Sequence, residues 1–347
     1  MPRLIPLDAT PGWTFVDELR RAWDAGDAVL PLDPRLPAPA ARRILDAMRP
    51  DDPVEPGDAL VVATSGTTGE PKGVVLTHDA IRASAMATSQ RLQVHPAVDR
   101  WRSWLPLAHV GGLSVVTRAL LTGTPLTFEP DERATLTSLV ATQLTRVDVS
   151  PFRAVLLGGS ALPPDRPANC IATYGMTETG SGVVYDGVPL DGVEVAVRGR
   201  DRELHVRGPM LLRAYRDGSD PKDADGWLPT GDAGDVDETG AVSVEGRIAD
   251  VIVTGGEKVW PDSVERVLRT LPGVADVAVA GRPDPEWGER VVAFVVTIDE
   301  PPTLDAVRDA VKAHLPAWCA PKELVVVTDL PRTPLGKLQR GALRTTA

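Results

Sequence analysis

Apolar and polar positions along the chain predict strands and helices that follow one another in turn. Helices are expected over residues 15–23 and 40–48, with the short strand "AVLPL" between them. The apolar run "DALVVAT" predicts a buried strand that leads directly into a glycine-rich stretch. After that stretch, Thr77 and Asp79 offer N-cap chemistry for a helix that reaches about Leu92.

The same alternation continues to about residue 190. The predicted strands "WRSWLPL", "PLTF" and "FRAVLLGG" are interleaved with helices over "GGLSVVTRALLTG" and "TLTSLVATQL". This order is typical of an α/β fold in which helices flank a mostly parallel sheet. From about Val193 the strands follow one another without a long helix, which indicates a β-rich subdomain over about residues 190–247.

A second boundary is predicted near "GRIADVIVTGG". Beyond it, the pattern predicts a helix, two strands, a helix and a strand over residues 261–270, 274–280, 290–298, 303–314 and 323–327. These elements indicate a small α+β unit. The sequence therefore predicts a large N-terminal domain over residues 1–247 and a small C-terminal domain over residues 250–347.

Composition and charge narrow the class of protein. Of the 347 residues, 43% are hydrophobic and 24% are charged, which is the balance of a soluble globular protein. We see neither a long apolar run nor a secretory signal, so the sequence predicts cytoplasmic residence without membrane insertion. A formal net charge of -11 without a basic run argues against a nucleic-acid partner. Two isolated thiols, Cys170 and Cys319, make neither a disulfide framework nor a metal site.

The glycine-rich stretch "TSGTTGEPKGV" is suited to hold an anion locally. A strand, a glycine turn and a helix in succession aim backbone N–H groups at an anion, and hydroxyl groups and Lys72 add further donors. The pattern G-x-x-x-x-G-K-S/T does not fit, because Pro71 precedes Lys72 and Gly73 follows it. Most glycine-rich loops are only turns, but six consecutive hydroxyl or glycine residues after a buried strand favour a phosphate loop. Its candidate binding residues are Thr64, Ser65, Gly66, Thr67, Thr68, Gly69 and Lys72.

This stretch resembles the phosphate loop of the adenylate-forming superfamily, which contains acyl-CoA synthetases, luciferases and adenylation domains. The segment "ATYGMTETGS", residues 172–181, resembles its nucleotide motif. The resemblance implies that Tyr174 stacks on adenine, Thr177 bonds the α-phosphate and Glu178 holds Mg²⁺. Mg²⁺ usually takes one or two carboxylates together with phosphate oxygens, which agrees with that role. The same resemblance adds to the nucleotide site Gly158, Gly159, Ser160, Gly175 and Met176.

Three further residues receive their roles from the same resemblance. Asp232 is expected to bind the ribose hydroxyls, with Arg247 as its partner at the ribose and phosphate. Lys337, in "LPRTPLGKLQR", resembles the mobile catalytic lysine that bridges the attacking carboxylate and the α-phosphate. Taken alone, an aspartate in a glycine-rich turn is most often a turn former, and a lysine in a polar tail is usually solvated.

The sequence departs from the superfamily's pattern in two places. The hinge position, two residues after the motif arginine, is Ala249 instead of the usual aspartate or lysine, and Asp250 follows it. The hinge is therefore one of these two residues. The glycine loop also begins near residue 64, earlier than in longer members, so we expect part of the usual N-terminal domain to be missing.

The resemblance implies an acid–thiol ligase that uses ATP, Mg²⁺ and CoA. A carboxylate displaces pyrophosphate from ATP to form an acyl-adenylate, and the thiol of CoA then attacks the acyl group. Between the two steps the C-terminal domain rotates, which withdraws Lys337 and brings the loop "TGGEKVWP", with Gly255 and Gly256, to the pantetheine tunnel. The sequence does not determine the oligomeric state, and a homodimer is one of the states that remain open.

The acid is indicated by an arginine in an otherwise apolar helix. Such an arginine either reaches water with its charged end or meets an anion. The segment "WLPLAHVGGLSVVTRAL" resembles the o-succinylbenzoate–CoA ligases of menaquinone biosynthesis, in which an arginine at this place meets the aromatic carboxylate of the substrate. The resemblance gives that role to Arg118 and lines the acyl pocket with His109 and Gly159, although a histidine bonded only to backbone fits His109 equally well.

Three other functions remain open at the level of sequence. The first is another acyl- or aryl-CoA ligase that acts on a monocarboxylic acid. The second is a stand-alone adenylation protein that loads a carrier domain. The third is a nucleotide-binding protein without turnover, which the presence of Lys72, Glu178, Asp232 and Lys337 disfavours.

Overall fold

Residues 1–65, 71–144, 146–159, 166–298, 300–332 and 338–345 are described by the computed structural model. Contacts divide the chain into one unit of Met1–Val195 with His205–Pro229 and a second unit of Ala196–Leu204 with Thr230–Ala347. The domain boundary that the sequence places between residues 247 and 250 stays a prediction. In the described parts of the chain, every helix is too short or too polar to cross a lipid bilayer.

The predicted alternation of strands and helices is present in the first unit. In chain order the elements up to residue 189 are β1 (Leu4–Asp8), α1 (Trp13–Asp24), β2 (Ala28–Leu32), α2 (Ala38–Met48), β3 (Asp58–Ser65), β4 (Pro71–Thr77), α3 (His78–Arg91), β5 (Trp101–Arg102), α4 (Val110–Thr122), β6 (Leu126–Thr127), β7 (Leu136–Val140), β8 (Ala154–Gly158), β9 (Cys170–Met176), β10 (Ser181–Tyr185) and β11 (Val188–Pro189).

The remaining elements are strands up to Arg247, as the β-rich pattern predicts, and both strands and helices beyond it. They are β12 (Glu194–Arg198), β13 (Glu203–Arg207), β14 (Ala214–Tyr215), β15 (Leu228–Val236), β16 (Val242–Arg247), β17 (Ile252–Thr254), β18 (Glu257–Val259), α5 (Pro261–Leu268), β19 (Val274–Asp284), β20 (Gly288–Thr297), α6 (Leu304–His314), β21 (Glu323–Val326) and α7 (Arg340–Thr345).

Two sheets form the centre of the first unit. In the first sheet, with order β1-β2-β3-β4-β14, the strands β1, β2 and β3 are parallel, whereas β4 and β14 are antiparallel to their neighbours. The second sheet has the order β11-β10-β9-β8-β7-β5-β6 and is parallel from β6 to β9. Helices α3 and α4 pack against each other, and the Thr77 hydroxyl caps α3 by accepting the Ala80 N–H at 3.1 Å. That cap confirms the predicted start of the helix.

The third sheet, with order β12-β13-β15-β16, contains three strands in which the chain passes from one unit to the other. The fourth sheet lies in the second unit, with order β18-β17-β20-β19 and β21 parallel to β20. Successive side chains of a strand point to opposite faces of the sheet, so alternate residues of β19 and β20 pack into two separate cores. Val277 and Ala293 belong to one core together with Val264 of α5, whereas Phe294 belongs to another with Leu343 of α7.

Two sequence predictions are wrong at the level of single elements. The segment "TLTSLVATQL" forms strand β7 and a short 3-10 turn at Ala141–Gln143, not a helix. It lies between two parallel strands and is buried on both faces, and such a run has no periodicity that separates a strand from a helix. The glycine loop leads into β4, which was not predicted, and α3 begins only at His78. The expected succession of strand, glycine turn and helix is therefore a strand–loop–strand hairpin.

Candidate active site

The glycine loop begins and ends on one pair of strands. Because β3 and β4 are antiparallel, Thr64 lies opposite Lys72, and its hydroxyl donates to the Lys72 carbonyl oxygen at 3.3 Å. The side chain of Ser65 lies outside the described part of the chain, and so do residues 66–70. The phosphate contacts of Ser65, Gly66, Thr67, Thr68 and Gly69 therefore stay predictions, while the two strands fix the ends of the loop.

Gly73, the third residue of β4, packs too closely against its neighbours to carry a side chain. A Cβ placed on Gly73 would lie 2.4 Å from Met48 Sδ and 2.8 Å from Arg216 Cβ. The neighbouring Lys72 is exposed, and its Nζ lies 5.0 Å from the ring centroid of Tyr215. The predicted phosphate-binding ammonium thus lies over an aromatic ring.

The segment that resembles the nucleotide motif forms a tight turn after β9. A 3-10 turn covers Thr177–Thr179, and the Thr179 hydroxyl accepts the Met176 N–H at 2.9 Å. A Cβ placed on Gly175 would lie 2.1 Å from the carbonyl oxygen of Ser181, so only glycine fits there. This turn presents Thr177 and Glu178 together, while their roles at the α-phosphate and the metal stay predictions.

Glu178 is held by a tyrosine that the sequence reading missed. The Tyr215 hydroxyl donates to Glu178 Oε1 at 3.0 Å, and the Leu212 N–H donates to the Glu178 carbonyl oxygen at 2.7 Å. Burial, followed by the charge of Glu178, raises the pKa of Tyr215 above its usual range, so the phenol remains a donor. The chain has only 3 tyrosines, and this scarcity is the one sequence signal that marks Tyr215.

The predicted adenine side is formed at the carboxyl ends of two parallel strands, β8 and β9. The Thr173 hydroxyl donates to the Leu157 carbonyl oxygen at 3.0 Å, which holds the two strand ends together. A Cβ on Gly158 would lie 3.0 Å from Thr173 Oγ1, and Gly159 has a φ of 90°. Tyr174 follows Thr173 directly, so the glycines and this aromatic residue share the strand ends at which α/β sheets bind ligands. Ser160 lies outside the described residues.

The residues around Glu178 fit a magnesium ion shared with a nucleotide. Among the described residues, no group of three or more histidine, cysteine, aspartate or glutamate side chains could hold a metal on its own. A site that needs phosphate oxygens requires only one or two carboxylates. Glu178, with one carboxylate oxygen fixed by Tyr215, supplies such a carboxylate.

Arg118 is buried and only partly satisfied. It is 2% exposed, so it does not reach water, and its Nη2 donates to Ser181 Oγ at 3.4 Å. Its guanidinium carbon lies 5.0 Å from the ring of Trp101, and its Nε and Nη1 have no hydrogen-bond partner among the residues described. Burial lowers the pKa of Arg118. A buried guanidinium with unused donors is suited to receive an anion, and Ser181 is the residue that follows the nucleotide turn.

His109 lies directly before α4, the helix that carries Arg118. Burial lowers the pKa of His109, and the nearby carboxylate of Asp33 only partly offsets this effect. The imidazole is therefore neutral near pH 7. Its place in the wall of an acyl pocket, together with Gly159, stays a prediction.

The second unit brings together the two residues predicted to bind ribose. Asp232 and Arg247 lie opposite each other on β15 and β16, and Arg247 Nε lies 2.9 Å from Asp232 Oδ1. Asp232 is 5% exposed, and its own N–H donates to the Thr230 hydroxyl at 3.1 Å. The register of the two strands thus prepares the pair before any ligand binds.

The loop predicted to line the pantetheine tunnel is a hairpin between β17 and β18. Gly255 and Gly256 have φ values of 60° and 86°, a left-handed region that favours glycine. The Gly255 N–H donates to the Trp287 carbonyl oxygen at 2.8 Å, and a Cβ on Gly255 would lie 2.8 Å from the Trp287 ring. Lys322 Nζ lies 3.4 Å from the centroid of that ring. Trp287 was not among the predicted site residues, because it is distant in sequence.

Two other predicted positions are in the second unit. The candidate hinge residues Ala249 and Asp250 lie in a 3-10 turn, Ile248–Asp250, directly after the motif arginine. Lys337 lies outside the described residues, although Arg332 and Leu338 on either side of it form a β-bridge. The hinge and the role of Lys337 stay predictions.

Comparison with known proteins identifies the family of this chain. The AMP-binding enzyme family matches residues 46–216, and the AMP-binding enzyme C-terminal domain matches residues 263–337. The probable 2-succinylbenzoate–CoA ligase of Mycobacterium tuberculosis is 39% identical over 340 residues, which cover 86% of this chain and 87% of that relative. Indoleacetate–CoA ligase of Aromatoleum aromaticum is 33% identical over 398 residues, which cover 98% of this chain and 74% of that relative.

A solved structure supports the same conclusion. The o-succinylbenzoate CoA synthetase from Bacillus subtilis, in complex with its acyl-adenylate intermediate, has a TM-score of 0.76 and 27% sequence identity, covering 96% of this chain and 81% of that chain. The predicted fold class, an α/β N-terminal region with a small C-terminal one, and the predicted family are both confirmed. This chain belongs to the family of AMP-binding, adenylate-forming enzymes.

Proposed function

We propose that this protein is an ATP-dependent acid–CoA ligase that activates o-succinylbenzoate for menaquinone biosynthesis. The reaction first forms an acyl-adenylate and then transfers the acyl group to CoA. The proposal rests on the family of the chain, on the names of its relatives and on Arg118.

The observation that supports this acid most directly is the unsatisfied guanidinium of Arg118. A dicarboxylic substrate must keep one carboxylate free to react while the other is held. Arg118 is suited to hold a carboxylate, because its planar fork matches that group and its Nε and Nη1 are unpaired. Its bond to Ser181 connects it to the end of the nucleotide turn, where an adenylate would form. A monocarboxylic substrate would leave this buried charge without a partner.

In the first half-reaction, the succinyl carboxylate attacks the α-phosphorus of ATP and pyrophosphate leaves. The chain contributes position and charge, with the glycine loop and Lys72 at the phosphates and Thr177 at the α-phosphate. Glu178 would hold Mg²⁺, which when bound neutralises charge on the phosphates. By resemblance to the family, Lys337 stabilises the charge that develops between the carboxylate and the phosphate.

In the second half-reaction, the thiol of CoA attacks the acyl carbonyl carbon and AMP leaves. The hairpin supports this step at Gly256, where a Cβ would meet nothing within 4 Å and a narrow ligand arm can pass closely, whereas the Trp287 ring packs against Gly255. We place the enzyme in the cytoplasm, where ATP and CoA are both available.

The decisive experiment compares two acids that differ only in the held carboxylate. The protein is incubated with ATP, Mg²⁺ and CoA together with o-succinylbenzoate or with its analogue that lacks the ring carboxylate, and products are identified by mass spectrometry. We expect the CoA thioester of o-succinylbenzoate as the main product. Efficient conversion of the analogue or of indoleacetate would assign the chain to the monocarboxylic ligases, which the indoleacetate–CoA ligase relative represents. Product only with a phosphopantetheinyl carrier in place of CoA would indicate a carrier-loading protein.

The same assay tests the residue that carries the proposal. Arg118→Gln should raise KM for o-succinylbenzoate about tenfold or more, the scale of losing hydrogen bonds to a charged group. It should leave KM for the analogue nearly unchanged. Arg91→Gln is the matched control, because it removes an arginine whose Nη2 donates to the Tyr185 carbonyl oxygen at 3.2 Å. An unchanged KM for o-succinylbenzoate in Arg118→Gln would exclude this acid assignment.

A further inference from the structure

The backbone on either side of Tyr215 is fixed before any ligand arrives. Tyr215 lies opposite Val74 in the pair of β14 with β4, the strand that follows the glycine loop. The Arg216 N–H donates to the Gly73 carbonyl oxygen at 2.7 Å, and the Leu212 N–H donates to that of Glu178 at 2.7 Å. The segment from 212 to 216 therefore bonds to both the glycine-loop strand and the nucleotide turn.

The neighbouring arginine strengthens this anchorage. The Arg216 guanidinium donates to backbone carbonyl oxygens at the end of α2, with distances of 2.7–2.9 Å to those of Met48, Arg49, Asp52 and Pro53. Four such bonds leave little freedom to the strand that holds Tyr215. The tyrosine ring thus has a defined position in the free protein.

The side chain of Tyr215 contacts two residues of opposite charge, Glu178 and Lys72. Its hydroxyl donates to Glu178 Oε1 at 3.0 Å, while Lys72 Nζ lies 5.0 Å from its ring centroid. Within the described residues, Lys72 and Glu178 form no salt bridge with each other. The tyrosine engages the carboxylate with its hydroxyl and the ammonium with its ring, and in this way it keeps opposite charges in separate places.

We propose that Tyr215 is a positioning residue for the nucleotide site, which orients the carboxylate of Glu178 toward a metal–nucleotide complex and keeps Lys72 from pairing with that carboxylate. This inference rests on the proposed function, since it assigns Glu178 to the metal and Lys72 to the phosphates. Without the hydroxyl, the Glu178 side chain can rotate toward Lys72, and each would then neutralise the other. The consequence is a weaker hold on the nucleotide with its metal, and the fold is preserved.

The test measures binding, separately from turnover. The affinity for α,β-methylene ATP, which cannot be cleaved at the reacting bond, is measured by calorimetry with and without Mg²⁺. The variants are Tyr215→Phe, Glu178→Gln and the double variant. Tyr185→Phe is the matched control, because it removes a buried tyrosine hydroxyl that bonds Thr88 Oγ1 at 3.0 Å.

With Mg²⁺, Tyr215→Phe should bind the analogue about tenfold more weakly, the scale of one hydrogen bond to a charged group. Without Mg²⁺ the loss should be smaller, because only the pairing of Lys72 with Glu178 then weakens the hold on the phosphates. In the Glu178→Gln background the effect should disappear, because Tyr215 acts through that carboxylate. Tyr185→Phe should match the wild-type affinity in both conditions. The melting temperature of Tyr215→Phe should remain close to that of Tyr185→Phe.

Two results overturn the proposal. One is an equal loss of affinity with and without Mg²⁺, and the other is a loss that persists in the Glu178→Gln background. If the wild-type protein binds the analogue in neither condition, the proposed function fails and the inference fails with it. If the wild-type protein binds the analogue and Tyr215→Phe shows the same dependence on Mg²⁺ as the wild type, the inference is rejected while the proposed function stands.

Discussion

Arg118 Nη2 lies 3.4 Å from Ser181 Oγ, and this contact connects the apolar helix α4 to the residue that ends the nucleotide turn. The same serine hydroxyl lies 3.3 Å from Ser84 Oγ on α3. The three side chains are buried. A ligand that binds Arg118 would therefore lie beside the residue that follows the turn of Thr177 and Glu178, so the proposed sites for the acid and the nucleotide would be joined by one short segment.

A buried arginine with unused donors should cost stability. Arg118→Met removes the buried charge and keeps a side chain of similar length, so we expect the free energy of unfolding to rise by about 1 kcal/mol or more, while activity on o-succinylbenzoate is lost. Unfolding in urea measures the first effect. Arg153→Met is the contrasting control, because it leaves the Asp99 carboxylate, 4% exposed, without its ion-pair partner and should destabilise the protein. A clear loss of stability in Arg118→Met would show that the guanidinium is satisfied in the free protein.

The pattern of apolar and polar residues predicted correctly those elements that bury only one face or that begin at a capping residue. Thr77 marked the start of α3 correctly, because its hydroxyl caps the helix. Strand β7 was mistaken for a helix, since burial on both faces removes the period that separates the two. Strand β4 was missed because "PKGVVLT" looked like the end of the loop and not like a strand of its own.

The sequence predicts those site residues that lie within one contiguous motif. It does not predict contacts between residues that are distant in sequence and meet only in the folded chain. Gly175 and Glu178 lie in one motif, which the resemblance identified. Tyr215 is 37 residues from Glu178, and the Leu212–Glu178 backbone bond together with the pairing of β14 with β4 brings them into contact. The resemblance named Asp232 and Arg247 together, whereas their direct ion pair follows from the register of β15 and β16.

The nucleotide turn should not tolerate a methyl group at Gly175. Its Cβ would lie 2.1 Å from the Ser181 carbonyl oxygen, which cannot move without breaking the strand pair. We expect Gly175→Ala to weaken ATP binding at least tenfold and to lower the melting temperature. Gly341→Ala is the matched control, because a Cβ there meets nothing within 4 Å and alanine favours the helix. Normal ATP binding in Gly175→Ala would contradict the assigned turn.

The Asp232–Arg247 pair predicts a dependence on the ribose hydroxyls. Asp232→Asn removes the charge that accepts hydrogen bonds from the ribose, so KM for ATP should rise about tenfold. The KM for 2′,3′-dideoxy-ATP should be high in the wild-type protein and little changed by the substitution. Asp235→Asn serves as the control on the same strand, because its partner Arg202 also pairs with Glu245. Equal effects on ATP and on the dideoxy analogue would exclude a ribose contact.

Asp99 should make the stability of the protein sensitive to acid. Burial opposes its ionisation, but hydrogen bonds from Arg153, from the His95 N–H and from Thr135 outweigh this and lower the pKa of Asp99. Because the folded pKa is below the unfolded value of about 3.9, the contribution is complete above that value and is lost as the pH falls through the folded pKa. The difference in unfolding free energy between wild type and Asp99→Asn should be constant above about pH 5 and should shrink below about pH 4. A difference independent of pH would mean that Asp99 is not the titrating group.

The resemblance of Lys337 to the catalytic lysine predicts a selective loss in one half-reaction. Its ammonium is expected to stabilise charge only while the acid attacks ATP, so Lys337→Ala should slow pyrophosphate release about 10²–10³-fold. When the acyl-adenylate is supplied directly, formation of the CoA thioester should be nearly unchanged, because the resemblance implies that the lysine is withdrawn in that step. Lys312→Ala, in the last turn of α6, controls for loss of a lysine elsewhere in the same unit. Pyrophosphate release at the wild-type rate from Lys337→Ala, or an equal loss in both half-reactions, would remove this lysine from adenylation chemistry.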